Sequence, residues 1–143
     1  MKRLHVHVAV HDLAASIRYY SKLFAAQPAV VKADYTQWLL EDPRVNFAIS
    51  RRGNAAGIRH LGIQVEDGAE LADVYARLRE AGGLVLDEGT TVCCYAKSEK
   101  SWIEDPQGVR WETFLTTGES TAYGGALGPA DPALPCCEPA RAG

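Results

Sequence analysis

Residues 3–24 read RLHVHVAVHDLAASIRYYSKLF, and residues 58–79 read IRHLGIQVEDGAELADVYARLR. Set against each other at a shift of 55 residues, they align Val10 with Val65, Asp12 with Asp67, Ala14 with Ala69, Tyr20 with Tyr75, Lys22 with Arg77 and Leu23 with Leu78. This is an internal repeat. Each copy opens on an apolar strand, 3–10 or 58–65, and then reaches an aspartate whose carboxylate can accept hydrogen bonds from the free amides of a starting helix. Asp12 and Asp67 are the expected N-caps. Leu13, Ile17, Tyr20 and Phe24 recur at helical spacing in the first copy. Leu71, Val74 and Leu78 do so in the second, before Gly82-Gly83 ends the helix. Each helix therefore has one apolar face to lay on a sheet.

β-branched and aromatic runs follow each helix, at 29–33, 35–40 and 45–50 in the first copy and at 84–88, 91–97 and 101–104 with 109–116 in the second. The unit is βαβββ, present twice. Its last turn recurs too, since Glu41-Asp42-Pro43 is echoed by Glu104-Asp105-Pro106, where Pro106 followed by Gly108 suits a type I turn. The expected class is α+β, built from paired βαβββ modules.

A chain of 143 residues with 47% hydrophobic content can bury one sizeable core but hardly two. Residues 1–117 are thus read as one domain whose modules, 1–52 and 56–117, share that core. Residues 118–143 are dominated by Gly, Pro and Ala, a composition expected of a flexible tail. The formal charge of -3 is spread along the chain without a run of either sign, which argues against nucleic acid and membrane partners. No apolar signal segment or spanning run stands out, so a cytoplasmic protein is expected. The four cysteines form two adjacent pairs, Cys93-Cys94 and Cys136-Cys137, and neighbouring residues close a disulfide only with a strained backbone. In a reducing compartment they are better read as ligands or reactive thiols.

The repeat also places chemistry. Shifting His5 by 55 residues lands on His60, so each module carries an imidazole at an equivalent point of its first strand, and a pseudo-twofold would bring the two together. Beyond the extra Gly108 the shift becomes 64, pairing Val45 with Val109, Phe47 with Trp111 and Ala48 with Glu112. Two neutral imidazoles and one carboxylate are the set that binds Fe(II) on one face and leaves other positions open. Ala48 supplies no fourth ligand, as suits a site that activates a bound molecule rather than a closed structural site. Taken singly, each histidine is more simply an ordinary strand residue; the shared register is what argues for a common ion. His7 lies on the same face as His5 by period-two alternation, and either supports it through a hydrogen bond or is itself the ligand.

Soft ions prefer thiolates, and Cys93-Cys94 lies on a segment expected to border the metal cavity. Such a pair can hold a soft substrate provided the chain bends there, because strict strand geometry points neighbours to opposite faces; otherwise both are small buried hydrophobes. Tyr95 is placed to touch the same ligand. Cys136 and Cys137 are either a thiol arm that delivers the soft ion or an incidental tail. Trp38, Trp102 and Trp111 read as core and cavity wall.

Asp12-Leu13 with Tyr20-Ser21-Lys22-Leu23-Phe24, His60-Leu61-Gly62, Cys93-Cys94-Tyr95-Ala96, and Trp102 with Gly108 and Trp111-Glu112 together resemble the glyoxalase, bleomycin-resistance and extradiol dioxygenase (vicinal oxygen chelate) superfamily. Within it the chain looks like the organoarsenical carbon-arsenic lyases and the cadmium-induced proteins. The resemblance covers about residues 3–117, and Cys136-Cys137 echoes the cysteine-bearing tails of that group. It implies paired βαβββ modules forming an open cupped sheet around one metal site, and a non-haem Fe(II) dioxygenase that uses O2 to cleave the carbon-arsenic bond of a trivalent organoarsenical and release arsenite, a detoxification activity. His5, His60 and Glu112 would be the catalytic metal ligands, and Cys93, Cys94 and Tyr95 would bind the substrate. Some members carry glutamine where this chain has His5; histidine there is nearer the extradiol dioxygenases. Two other functions fit the same residues: a thiol-based binder of cadmium or arsenite without catalysis, and a glyoxalase-type lyase, against which Ala48 speaks. Homodimerisation is expected from how often folds of this type pair their sheets.

Overall fold

The structure, a computed structural model, describes residues 1–82, 86–93 and 96–119, with side chains over 1–82 and 101–116. The chain runs β1 (Arg3–Ala9), α1 (Leu13–Leu23), β2 (Val30–Val31), β3 (Tyr35–Glu41), β4 (Arg44–Ser50), β5 (Gly57–Val65), α2 (Gly68–Glu80), β6 (Leu86–Cys93), β7 (Ala96–Glu104) and β8 (Arg110–Glu119). This is βαβββ twice, as the repeat predicts. The described residues form two compact units, Arg3–Gly62 and, with Met1–Lys2, those between Ile63 and Glu119. Among the described residues no helix is long and apolar enough to cross a membrane.

In the unit Arg3–Gly62 the strand order is β2-β3-β4-β1 with β5 beside β1. β1 runs parallel to β4, with His5 opposite Asn46 and His7 opposite Ala48, and β3 is antiparallel to β4, with Trp38 opposite Phe47. Strand alternation sorts these residues onto two faces. Val6, Val8, Trp38, Leu40, Phe47 and Ile49 turn to α1 and pack against its Leu13, Ile17, Tyr20 and Phe24, the four residues whose spacing marks the helix in sequence. The opposite face carries His5, His7, Asn46 and Ser50, which are polar yet buried. The Asp12 carboxylate caps α1 by accepting from the Ala15 amide at 2.9 Å.

The second unit repeats the plan in the order β5-β8-β7-β6. Leu71, Val74, Tyr75 and Leu78 of α2 pack on Ile63, Val65 and Leu115. Asp67 caps α2 through the Glu70 amide at 2.8 Å, and the Glu70 carboxylate in turn accepts from the Glu66 amide at 3.0 Å, which holds its pKa below the ordinary carboxylate value. The helix ends ahead of Gly82, whose φ of +74° is a conformation that glycine adopts without penalty. Between β7 and β8, Asp105 organises the expected turn: its carbonyl accepts from the Gly108 amide at 2.9 Å, and its carboxylate accepts from Gln107 and Val109.

The strands after α2 differ from the sequence reading. The three runs 84–88, 91–97 and 101–104 are drawn out as two strands, β6 and β7, with the register shifting between Asp87 and Gly89. β7 pairs on one edge with β6 and on the other with β8, so the backbone ladder carries the polar run Lys97-Ser98-Glu99-Lys100 that side-chain propensity alone would leave as loop.

Candidate metal centre

Three imidazoles gather in the unit Arg3–Gly62. His5 and His7 stand two apart on β1, so one period of the strand brings both to the face turned away from α1. His60 comes from β5. All three are buried, at 5%, 2% and 2% exposure, and one ring nitrogen of each lies within 4.8 Å of the others. The Nε2 atoms of His5 and His60 are 3.2 Å apart. Two nitrogens bound at about 2.1 Å to one ion lie roughly 3.0 Å apart at a right angle and roughly 3.4 Å apart at a tetrahedral one. The observed spacing falls between, so the pair fits a shared cation.

The surrounding groups favour that state. His5 Nδ1 lies 3.1 Å from the Asn46 carbonyl oxygen, and because a carbonyl can only accept, the proton resides on Nδ1 and the lone pair on Nε2. A backbone acceptor on the far nitrogen is the usual device for orienting a metal-binding imidazole. The Asn46 side chain is fixed by Gln37, whose Nε2 donates to Asn46 Oδ1 at 2.7 Å. His7 Nε2 is 2.9 Å from Ser50 Oγ, and Tyr35 stands edge-on to the His7 ring at 6.2 Å. Burying this much imidazole away from water carries a cost, which the ring hydrogen bonds reduce and a cation at this position would reduce further. Ala48, opposite His7 and fully buried, brings no donor to the same face.

Glu112 lies in the other unit, on β8 opposite Trp102, with 4% exposure. Alternation along β8 sends Leu115 to the core under α2 and Glu112 to the face turned away from that helix. Each module thus presents its candidate ligands on the face its own helix leaves open. Cys93 is the last residue of β6, and its side chain lies outside the described residues, as do Cys94, Tyr95, Cys136 and Cys137.

Asn46, Ser50, Gln37 and Tyr35 were not singled out by sequence. The signal was present in β4, where Asn46, Ala48 and Ser50 alternate with Val45, Phe47 and Ile49. What was lacking was the register, which aligns that polar row with His5 and His7.

The sequence pattern of the Glyoxalase/Bleomycin resistance protein/Dioxygenase superfamily matches residues 2–113. The chain is 47% identical over 119 residues to a trivalent organoarsenical cleaving enzyme of Bacillus sp. (strain MD1), covering 81% of this chain and 74% of that one. It is 34% identical over 125 residues to the cadmium-induced protein CadI of Mycobacterium tuberculosis, covering 87% and 82%. Among solved structures, an extradiol ring-cleaving dioxygenase from B. fuscum superposes with a TM-score of 0.61 at 18% identity, over 82% of this chain and 33% of that one. At that identity the likeness speaks for the fold.

Proposed function

Because the chain belongs to the glyoxalase, bleomycin resistance protein and dioxygenase superfamily, we propose that it is an Fe(II)-dependent enzyme that uses O2 to cleave the carbon-arsenic bond of trivalent organoarsenicals and release arsenite. The observation that carries this reading is the buried imidazole pair, with Nε2 atoms 3.2 Å apart, in a chain 47% identical to an organoarsenical cleaving enzyme. His5, His60 and Glu112 would hold the ion, two neutral nitrogens and one carboxylate of the type that suits iron. Bound there, Fe(II) would supply the one-electron chemistry with O2 that protein side chains lack.

The chain's own residues do the rest. His5 keeps its proton on Nδ1, directed at the Asn46 carbonyl, so its Nε2 lone pair is available without a prior deprotonation. Cys93 and Cys94 bind the arsenic: each thiol replaces one hydroxyl on trivalent arsenic, forming an As–S bond and releasing one water. Tyr95 contacts the bound arsenical in this reading, and Cys136 with Cys137 passes the arsenical to that pair. Holding arsenic by two sulfurs leaves the carbon as its remaining substituent, oriented for attack rather than tumbling. The partners are therefore a small organoarsenical and O2, and the setting is the cytoplasm.

A second reading is favoured by the likeness to a cadmium-induced protein and by four cysteines in one short chain: a binder that sequesters cadmium or arsenite through its thiols. One experiment separates the two. The protein is reconstituted with Fe(II) without oxygen, given methylarsenite, opened to air and assayed for inorganic arsenite beside the Glu112→Ala variant. Release by the wild type alone is expected. Tight binding of methylarsenite without release would replace the lyase reading with sequestration.

A further inference from the structure

His7 has no counterpart in the repeat, since the 55-residue shift sets it against Gly62. We propose that His7 is a third imidazole ligand of the ion held by His5 and His60, an inference that rests on the reading of those two as metal ligands. His-x-His on one strand face is a chelating arrangement by construction, because alternation brings both rings to the same side. The ring centroids are 5.2 Å apart for His5 and His60, 4.9 Å for His7 and His60, and 6.3 Å for His5 and His7. A metal–nitrogen bond of about 2.1 Å sets an imidazole centroid roughly 3.2 Å from the ion, and a circle of about that radius passes through three points so separated. One ion can therefore stand at bonding distance from all three rings, with His60 between His5 and His7. The most widely separated pair of nitrogens on such an ion spans about 4.2 Å, and one ring nitrogen of each histidine already lies within 4.8 Å of the other two.

The hydrogen bonds agree. Ser50 Oγ, 2.9 Å from His7 Nε2, accepts that nitrogen's proton in the tautomer that leaves the Nδ1 lone pair for the ion, just as the Asn46 carbonyl does for the other nitrogen of His5. Three imidazoles and Glu112 leave two of six positions of an octahedral ion open, against three for two histidines and a carboxylate. The chain would then hold its metal more tightly, and arsenic gripped by thiols needs none of those positions.

The test counts ligands directly. Each imidazole bound to Co(II) shows one hyperfine-shifted, exchangeable N–H in the proton NMR spectrum, assigned by labelling histidine with nitrogen-15. The full-length chain loaded with Co(II) is expected to show three such signals and the His7→Ala variant two. The variant's Kd for Co(II), measured against a competing chelator, should be weaker by about tenfold or more. Two signals in the wild type would overturn the proposal even if His7→Ala bound cobalt poorly, because a residue that only supports a ligand changes affinity and not the count. Should the variant fail to fold, the wild-type count still decides. Three signals without arsenite release would uphold His7 as a ligand and reject the lyase reading, whereas a wild type that takes up no Co(II) would reject both.

Discussion

At the scale of single residues, the two halves of the proposed chemistry rest on different side chains and are separable. Glu112 and the histidines are asked to hold an ion, and Cys93 and Cys94 to hold arsenic. Changing both cysteines to serine should leave Fe(II) binding intact and weaken methylarsenite binding by tenfold or more, about 1.4 kcal/mol, measured by titration calorimetry without oxygen. Glu112→Ala should do the reverse. Cleavage of methylarsenite at full rate by the cysteine double variant would remove the thiol grip from the mechanism. His5 shows why a residue's proposed role depends on its neighbours: the Asn46 carbonyl, 41 residues away in sequence and 3.1 Å from Nδ1, would keep the proton there and leave Nε2 for the proposed ion.

At the scale of elements, each module is started by an aspartate. Asp12 and Asp67 satisfy the amides of Ala15 and Glu70, groups that would otherwise lack partners in the first helical turn. Asp12→Ala and Asp67→Ala are each expected to cost about 1 kcal/mol and to lower the melting temperature by roughly 3–5 °C, with asparagine at either position restoring most of the loss. Calorimetric melts of the four variants test this; unchanged melting in both alanine variants would mean that packing alone holds the helices. The caps, the apolar stripe of α1 and the turn at Asp105 were legible in sequence because each depends on residues only a few positions apart. The division of residues 86–104 into β6 and β7 was not, because pairing with β8 decides it.

At the scale of the whole molecule, the proposed metal site, with three buried imidazoles and a buried carboxylate in a chain of 143 residues, would make metal binding and stability interdependent. An ion that binds the folded chain and not the unfolded one adds about 2.7 kcal/mol at a hundredfold excess over its Kd, a rise of roughly 10 °C in melting temperature. Differential scanning calorimetry of the chelator-treated protein, before and after Fe(II) is added without oxygen, is expected to show that rise and its reversal by chelator. A melting temperature indifferent to Fe(II), Mn(II), Co(II) and Zn(II) alike would mean that the imidazoles are packing groups.

The sequence by itself determined the α+β class, the duplicated βαβββ plan, the two caps and the choice of His5, His60 and Glu112 as residues to watch, because repeats, helical spacing and strand alternation are local periodicities that survive in one dimension. The tertiary structure alone decided how closely His5 and His60 meet, with Nε2 atoms 3.2 Å apart, how near His7 stands to both, and that Asn46 and Ser50 back them from β4. Those facts depend on strand order and register, which are set by backbone hydrogen bonds between strands far apart in sequence; the repeat marks His5 and His60 as equivalent, but not which residues of β4 stand beside them.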